Sequence, residues 1–147
     1  MKILLVCSAG GHFRSMQELQ LFWKTHERVW VTFDSSTTKT ALDAEKVYWA
    51  WSPTNRNLPN LVRNFLLAWQ VVFQERPQLV ISTGAGVAVP FLILAKVLGS
   101  RTAFIESITR VKQLSLSARL ALPFLDALYV RWRELQVRYP RAELVSF

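Results

Sequence analysis

Three short stretches hold the residue types that chemistry needs: Ser8-Ala9-Gly10-Gly11-His12, Ser82-Thr83-Gly84-Ala85-Gly86, and Glu106-Ser107 followed by Arg110-Val111-Lys112. In the first, paired glycines let a backbone approach a ligand and take dihedrals closed to other residues. A helix starting behind them would present free amides and the positive end of its dipole to a phosphate or diphosphate. His12 in that first turn can serve as a base or a hydrogen-bond donor. The run is neither a dinucleotide fingerprint, since His12 stands where Gly-x-Gly needs its second glycine, nor a Walker loop, which needs Lys-Ser/Thr. A tight turn whose glycines serve packing alone remains the competing reading. The second stretch repeats the pattern after another apolar run, with the same alternative. In the third, Glu106 can act as a general base or bind sugar hydroxyls, and Arg110 and Lys112 can neutralise phosphate. A helix cap or an ion pair with Arg110 explains Glu106 equally well.

The elements that must position these residues alternate strand and helix, the signature of a mostly parallel sheet with helices on both faces. Strands are predicted over residues 2–7, 27–33, 46–51, 78–82, 101–105 and 127–131, with a further short one after Pro140. Helices are predicted over 12–25, from a cap in Asp34-Ser35-Ser36 to Asp43, over 58–76, over 87–98 ended by Gly99, and around 114–122. The fold class is α/β, one Rossmann-like domain over residues 1–147, with no internal repeat. Both glycine loops and Glu106 then fall at the carboxyl ends of strands, the edge where open α/β sheets bind ligands.

The 58–76 helix carries too much apolar surface. Leu58, Leu61, Val62, Phe65, Leu66, Trp69, Val72 and Phe73 make one wide face, while Leu67 and Val71 fall opposite, among Asn60, Arg63, Asn64, Gln70 and Gln74. The excess makes Leu58, Leu61, Phe65, Leu67, Trp69 and Val71 candidates for contact with a membrane surface or a partner, with Trp49, Trp51, Arg56 and Arg63 placed to flank them. An ordinary core helix is the alternative.

Bulk properties agree with such a surface. The chain has 147 residues, a formal charge of +8 and six tryptophans, residues suited to boundaries between dry and wet surroundings. One cysteine, Cys7, makes no internal disulfide and suits a reducing compartment. The first strand follows Met1 directly, with no secretory leader read before it, and the apolar runs are too short or too interrupted to span a bilayer. No zinc cluster, nucleophile elbow, acidic metal site or RNA-binding motif is present, so neither metal, cofactor nor nucleic acid is expected.

Taken in register, Ser8-x-Gly10-Gly11-His12, Ser82-Thr83-Gly84-Ala85-Gly86 with Pro90, Glu106-Ser107-x-x-Arg110-Val111 with Leu114-Ser115, and Val130-x-Trp132-x-x-Leu135 with Tyr139-Pro140 resemble a known family. It is that of the membrane-recruiting subunit of the eukaryotic endoplasmic-reticulum N-acetylglucosaminyltransferase and similar bacterial capsule and exopolysaccharide proteins. The resemblance implies the N-terminal, acceptor-binding half of a GT-B glycosyltransferase. A separate subunit would bind the nucleotide sugar, and the pair would extend a polyprenyl-diphosphate-linked sugar with inversion. By position, Gly10, Gly11 and His12 would face the acceptor diphosphate and reacting centre, with Glu106 across from His12. Ser8, Ser82, Gly84, Gly86, Ser107 and Arg110 complete the expected substrate-binding set, and which of His12 and Glu106 is the base stays open. Eukaryotic members carry an N-terminal membrane span and many continue past residue 147; without such a span, the expectation is peripheral attachment at the cytoplasmic face of a membrane. A recruiter that does no chemistry is the second reading, and a nucleic-acid-binding module a distant third.

Overall fold

A computed structural model of the chain describes residues 1–54 and 57–145. Arg56, read above as an interfacial cation, lies outside the described residues, as do Ser146 and Phe147 of the last predicted strand. In chain order the elements are β1 (Lys2–Cys7), α1 (Gly11–Gln17), α2 (Gln20–Trp23), β2 (Glu27–Phe33), α3 (Ser36–Ala41), β3 (Val47–Ala50), α4 (Leu58–Glu75) and β4 (Leu79–Gly84). They continue as α5 (Ala88–Val97), β5 (Arg101–Ile105), α6 (Leu116–Ala121) with a 3-10 turn at Leu122–Phe124, β6 (Ala127–Val130), α7 (Arg133–Arg138) and β7 (Glu143–Leu144). The strands form one seven-stranded sheet in the order β3-β2-β1-β4-β5-β6-β7, and every described pairing is parallel.

Two cores follow from the alternation of side chains along each strand. Leu4, Val6, Val29, Val31 and Val80 join α4, α5, α6 and α7 on one face. Ile3, Leu5, Cys7, Trp30 and Ile81 join Phe13 and Met16 of α1 and Trp23 of α2 on the other. The single helix expected over 12–25 is two short ones, and α7 was not foreseen. Its six residues lie between Trp132 and Tyr139 and bury only Leu135, too short a stretch for helical periodicity to register.

The main departure concerns α4, which is turned the other way round. Its buried residues are Asn60, Asn64, Ala68, Val71, Val72 and Glu75, while Leu58, Leu61, Val62, Leu66, Trp69 and Phe73 are exposed. Val71, expected outside, is 0% exposed, and Leu67 packs against the core; neither belongs to an outer surface. Leu58, Leu61 and Trp69 do, and Phe65 is half-buried at the margin. Hydrogen bonding explains the rotation. Asn64 Oδ1 accepts from the Trp51 amide at 2.9 Å and its Nδ2 donates to the Trp51 carbonyl at 3.0 Å. Asn60 Nδ2 donates to the Pro53 carbonyl at 2.9 Å, and Asn57 caps the helix at the Asn60 amide. The loop leaving β3 has polar backbone to satisfy, and these asparagines can do so only by facing inward.

Glu75 closes the inner face at the other end. Its carboxylate meets Lys2 Nζ at 2.9 Å and Lys46 Nζ at 2.7 Å and accepts from the Tyr48 hydroxyl. Burial alone would raise its pKa, but the bonds from Lys46, Tyr48 and Lys2 overcome that and hold it at about 2, below the ordinary 4.5. A carboxylate depressed in the fold stabilises it above the unfolded value, and that stabilisation is lost as pH falls through the folded one. Because Lys46 is largely solvated, the contribution is about 2 kcal/mol. Wild type is therefore expected to lose that much more stability than Glu75→Gln between pH 5 and pH 2, read by urea unfolding at each pH. Equal acid sensitivity of the two would remove Glu75 as the group responsible.

Candidate active site

β1 delivers Ser8 to the carboxyl edge of the sheet, and Gly10 turns the chain into α1 with φ of 77°, a left-handed value that favours glycine. A side chain at Gly10 or Gly11 would meet nothing within 4 Å, so the space over both is open. α1 is only seven residues long, and the Gly10 carbonyl accepts from the Arg14 amide at 3.0 Å. His12, half-buried, points to the neighbouring strand β4, where its Nδ1 lies 2.8 Å from the Thr83 carbonyl. A carbonyl only accepts, so Nδ1 carries the proton, and Nε2 is then an unprotonated acceptor in the neutral ring. Nε2 has no hydrogen-bond partner among the described residues.

The second glycine loop supports this histidine. Gly84 has φ of 116°, and a Cβ there would lie 2.6 Å from His12 Nδ1. Its amide donates to Ser82 Oγ at 3.0 Å and its carbonyl accepts from the Ser8 amide at 3.0 Å. Ser82 is fully buried with its hydroxyl so engaged, which removes it from the substrate-binding set. Gly86 faces Thr54: a Cβ would stand 3.3 Å from Thr54 Oγ1, so its small size serves the approach of the β3–α4 loop. Cys7, beneath the site, is not a nucleophile. Burial pushes its thiol up to about 12, outweighing the opposing effect of the nearby Thr32 and Thr83 hydroxyls.

Glu106 takes a different role from the one expected. It is buried, with Oε1 accepting from the Ser107 amide at 2.9 Å and Oε2 from the Ser115 amide at 2.7 Å. It closes the 107–115 loop at both ends, and no hydrogen bond joins it to His12 among the described residues. Trp132 Nε1 donates to the Ile108 carbonyl at 2.6 Å and Arg138 to the Lys112 carbonyl at 3.1 Å, further fixing the loop. Ser107 Oγ is shared with Thr109, and the Arg110 side chain is exposed. This group stands at the end of β5, two strands from β1, or about 10 Å across the edge. The structure thus joins Ser8, Gly10, Gly11, His12 and Gly84 in one cluster and sets Glu106, Ser107 and Arg110 beside it. Thr83, one residue of its loop in the sequence pattern and nothing more, gains a role because the β1–β4 pairing puts it against His12. The described residues contain no cluster of metal-ligating side chains.

The family model for oligosaccharide biosynthesis proteins like Alg14 matches residues 44–147. The chain belongs to the Alg14-like family. Among curated Alg14-like relatives, the UDP-N-acetylglucosamine transferase subunit ALG14 of Candida albicans is 36% identical over 93 residues, covering 59% of this chain and 42% of that protein. Its counterpart in Debaryomyces hansenii is 44% identical over 73 residues, 46% of this chain and 32% of that one. The chain thus spans well under two thirds of these two relatives. In Yarrowia lipolytica the match is 27% over 171 aligned positions, 97% of this chain and 78% of the other, and it takes in nearly the whole sequence.

Solved structures with the same fold are also found. MurG of Acinetobacter baumannii superposes with a TM-score of 0.66 at 16% identity, over 88% of this chain and 41% of that one. The UDP-GlcNAc 2-epimerase of Neisseria meningitidis gives 0.74 at 12%, over 98% and 45%. Each match takes up less than half of the longer chain, so the domain has the fold of one half of a GT-B-type protein.

Proposed function

We propose that this chain is the acceptor-binding, membrane-associating subunit of a two-component inverting glycosyltransferase of polysaccharide biosynthesis. It would extend a polyprenyl-diphosphate-linked sugar with a nucleotide sugar held by a separate donor-binding subunit. The observation that carries the reading is His12: an imidazole tied through Nδ1, with Nε2 unpartnered among the described residues, beside the open glycine turn at the carboxyl edge of the sheet. That these relatives are UDP-N-acetylglucosamine transferase subunits supports the reaction class and points to that nucleotide sugar for the assembly. In the reaction, the acceptor hydroxyl oxygen attacks the donor's anomeric carbon as the bond to the nucleotide diphosphate breaks. Nε2 takes the hydroxyl proton and later releases it to solvent. Of the two candidates for the base, His12 is preferred, because both oxygens of Glu106 are engaged by backbone amides.

The outer face of α4 supports the membrane part. Leu66 is 68% and Trp69 54% exposed, and the Arg63 guanidinium lies 4.8 Å over the exposed Trp51 ring beside them. Basic and tryptophan side chains around an apolar stripe suit a helix lying in an anionic bilayer surface at the cytoplasmic face. No described helix is long and apolar enough to cross a membrane. The same face favours a second reading, a recruiter that docks a complete transferase and does no chemistry.

Co-expression with a donor-binding subunit, followed by assay of sugar transfer to a polyprenyl-diphosphate-sugar in membranes, tests the proposal. Transfer is expected only when both chains are present. Full transfer by the partner alone would make this chain a recruiter or stabiliser.

A further inference from the structure

We infer that the Thr83–Gly84 corner of β4 is the positioning device of His12, fixing both the tautomer and the orientation of its imidazole. The inference rests on the proposed role of His12 as the base. Two hydrogen bonds of opposite direction join the segments: His12 Nδ1 donates to the Thr83 carbonyl at 2.8 Å, and Thr83 Oγ1 donates to the His12 carbonyl at 2.6 Å. The first holds the ring and the second holds the backbone that carries it, so the imidazole cannot move as a unit away from β4. Beneath the ring, Gly84 leaves the space that a Cβ would fill at 2.6 Å from Nδ1 and 2.7 Å from Cε1, a separation side chains do not tolerate.

The corner is itself immobilised. Ser82 Oγ takes the Gly84 amide, the Ser8 amide binds the Gly84 carbonyl, and Ser82 and Thr83 are both buried. The device matters because a free imidazole in water favours the proton on Nε2, the tautomer that cannot accept a proton there. A carbonyl placed against Nδ1 reverses that preference before substrate arrives, as an acceptor on one ring nitrogen fixes which nitrogen of a histidine is left to act. Thr83 is then a positioning residue, and glycine at 84 is needed for the ring's seat as well as for its φ.

Two readouts test this on the full chain. Nitrogen-15 long-range correlation spectra of the ring report the tautomer; His26 is the sole other histidine, and a His12→Gln sample separates the two. Wild type is expected to show His12 as one tautomer with the proton on Nδ1. Thr83→Val keeps the carbonyl but removes the Oγ1 bond that holds the His12 backbone against it. The ring should then drift from the carbonyl and show a mixture of tautomers, and kcat in the two-chain enzyme should fall about 10-fold with little change in acceptor KM. Thr83→Ser should restore both. Gly84→Ala should displace the ring and lower kcat about 100-fold or more; if it fails to fold, the Thr83 pair still decides. A wild-type His12 protonated on Nε2, or Thr83→Val with an unchanged tautomer and kcat, would overturn the inference. Should His12→Gln retain full transfer while the tautomer is fixed as described, the corner would hold the ring, and the assignment of His12 as base would be the part that fails.

Discussion

Replacing His12 with alanine is expected to lower kcat of the assembled two-chain enzyme about 10³-fold while leaving the complex intact. The imidazole is half-buried and belongs to neither hydrophobic core, and its removal leaves one backbone acceptor, the Thr83 carbonyl, without its donor. The loss should therefore fall on the chemical step. Glu106→Ala is expected to behave differently. Removing its carboxylate leaves the Ser107 and Ser115 amides without acceptors and frees both ends of the 107–115 loop. That variant should be cleaved faster by trypsin after Arg110 and Lys112, a change His12→Ala should not show. Transfer at wild-type rate by His12→Ala, in a folded complex, would remove His12 as the base.

The second large effect separates the two faces of α4. Val71→Asp should cost at least about 4 kcal/mol and leave much of the chain unfolded, because an unpaired carboxylate would enter a core position with no exposure. Leu66→Asp, five residues earlier and on the outer face, should change stability by no more than about 0.5 kcal/mol. Thermal or urea unfolding reads both, and similar losses from the two would mean that α4 is not oriented as described. The outer residue should instead affect membrane contact. Leu66→Asp combined with Trp69→Asp is expected to lower partition onto phosphatidylglycerol-containing vesicles by about 10-fold or more, since it removes two apolar contacts and adds two like charges against an anionic surface. Unchanged partition would assign that face to a protein partner rather than to lipid.

The inner surface of α4 shows why pattern alone misplaced it. Counting apolar residues at helical spacing finds the stripe but not the side that faces the protein. Here the stripe through Leu58, Leu61, Leu66 and Trp69 is the outer one. The inner side is chosen by Ala68, small enough to sit fully buried beneath the helix, by Asn60 and Asn64, which bind the loop after β3, and by Glu75, which meets Lys2 and Lys46. All of these partners are distant in sequence or unremarkable by composition, so the interior use of asparagine and glutamate was not legible beforehand. Expecting a surplus of apolar surface was sound; assigning Leu67 and Val71 to it was not.

The sequence by itself determined the alternation of strands and helices, the parallel sheet and the ends of several elements. β2 spans Glu27–Phe33 and β5 spans Arg101–Ile105, the stretches expected from their apolar and β-branched residues; the cap falls on Ser35, within the expected Asp34-Ser35-Ser36 run, and Gly99 with its φ of 98° ends its helix as read. These are local properties, set by the backbone and by nearest neighbours. It also located the two glycine loops and His12, since the ends of strands in such a sheet share an edge. Only the tertiary structure decided what each residue there does. The pairing of β1 with β4 set Thr83 and Gly84 against His12, and the folding back of the loop after β5 turned Glu106 from a candidate base into a brace. Such roles depend on contacts between residues 71 positions apart, in the case of His12 and Thr83, and no local pattern encodes them.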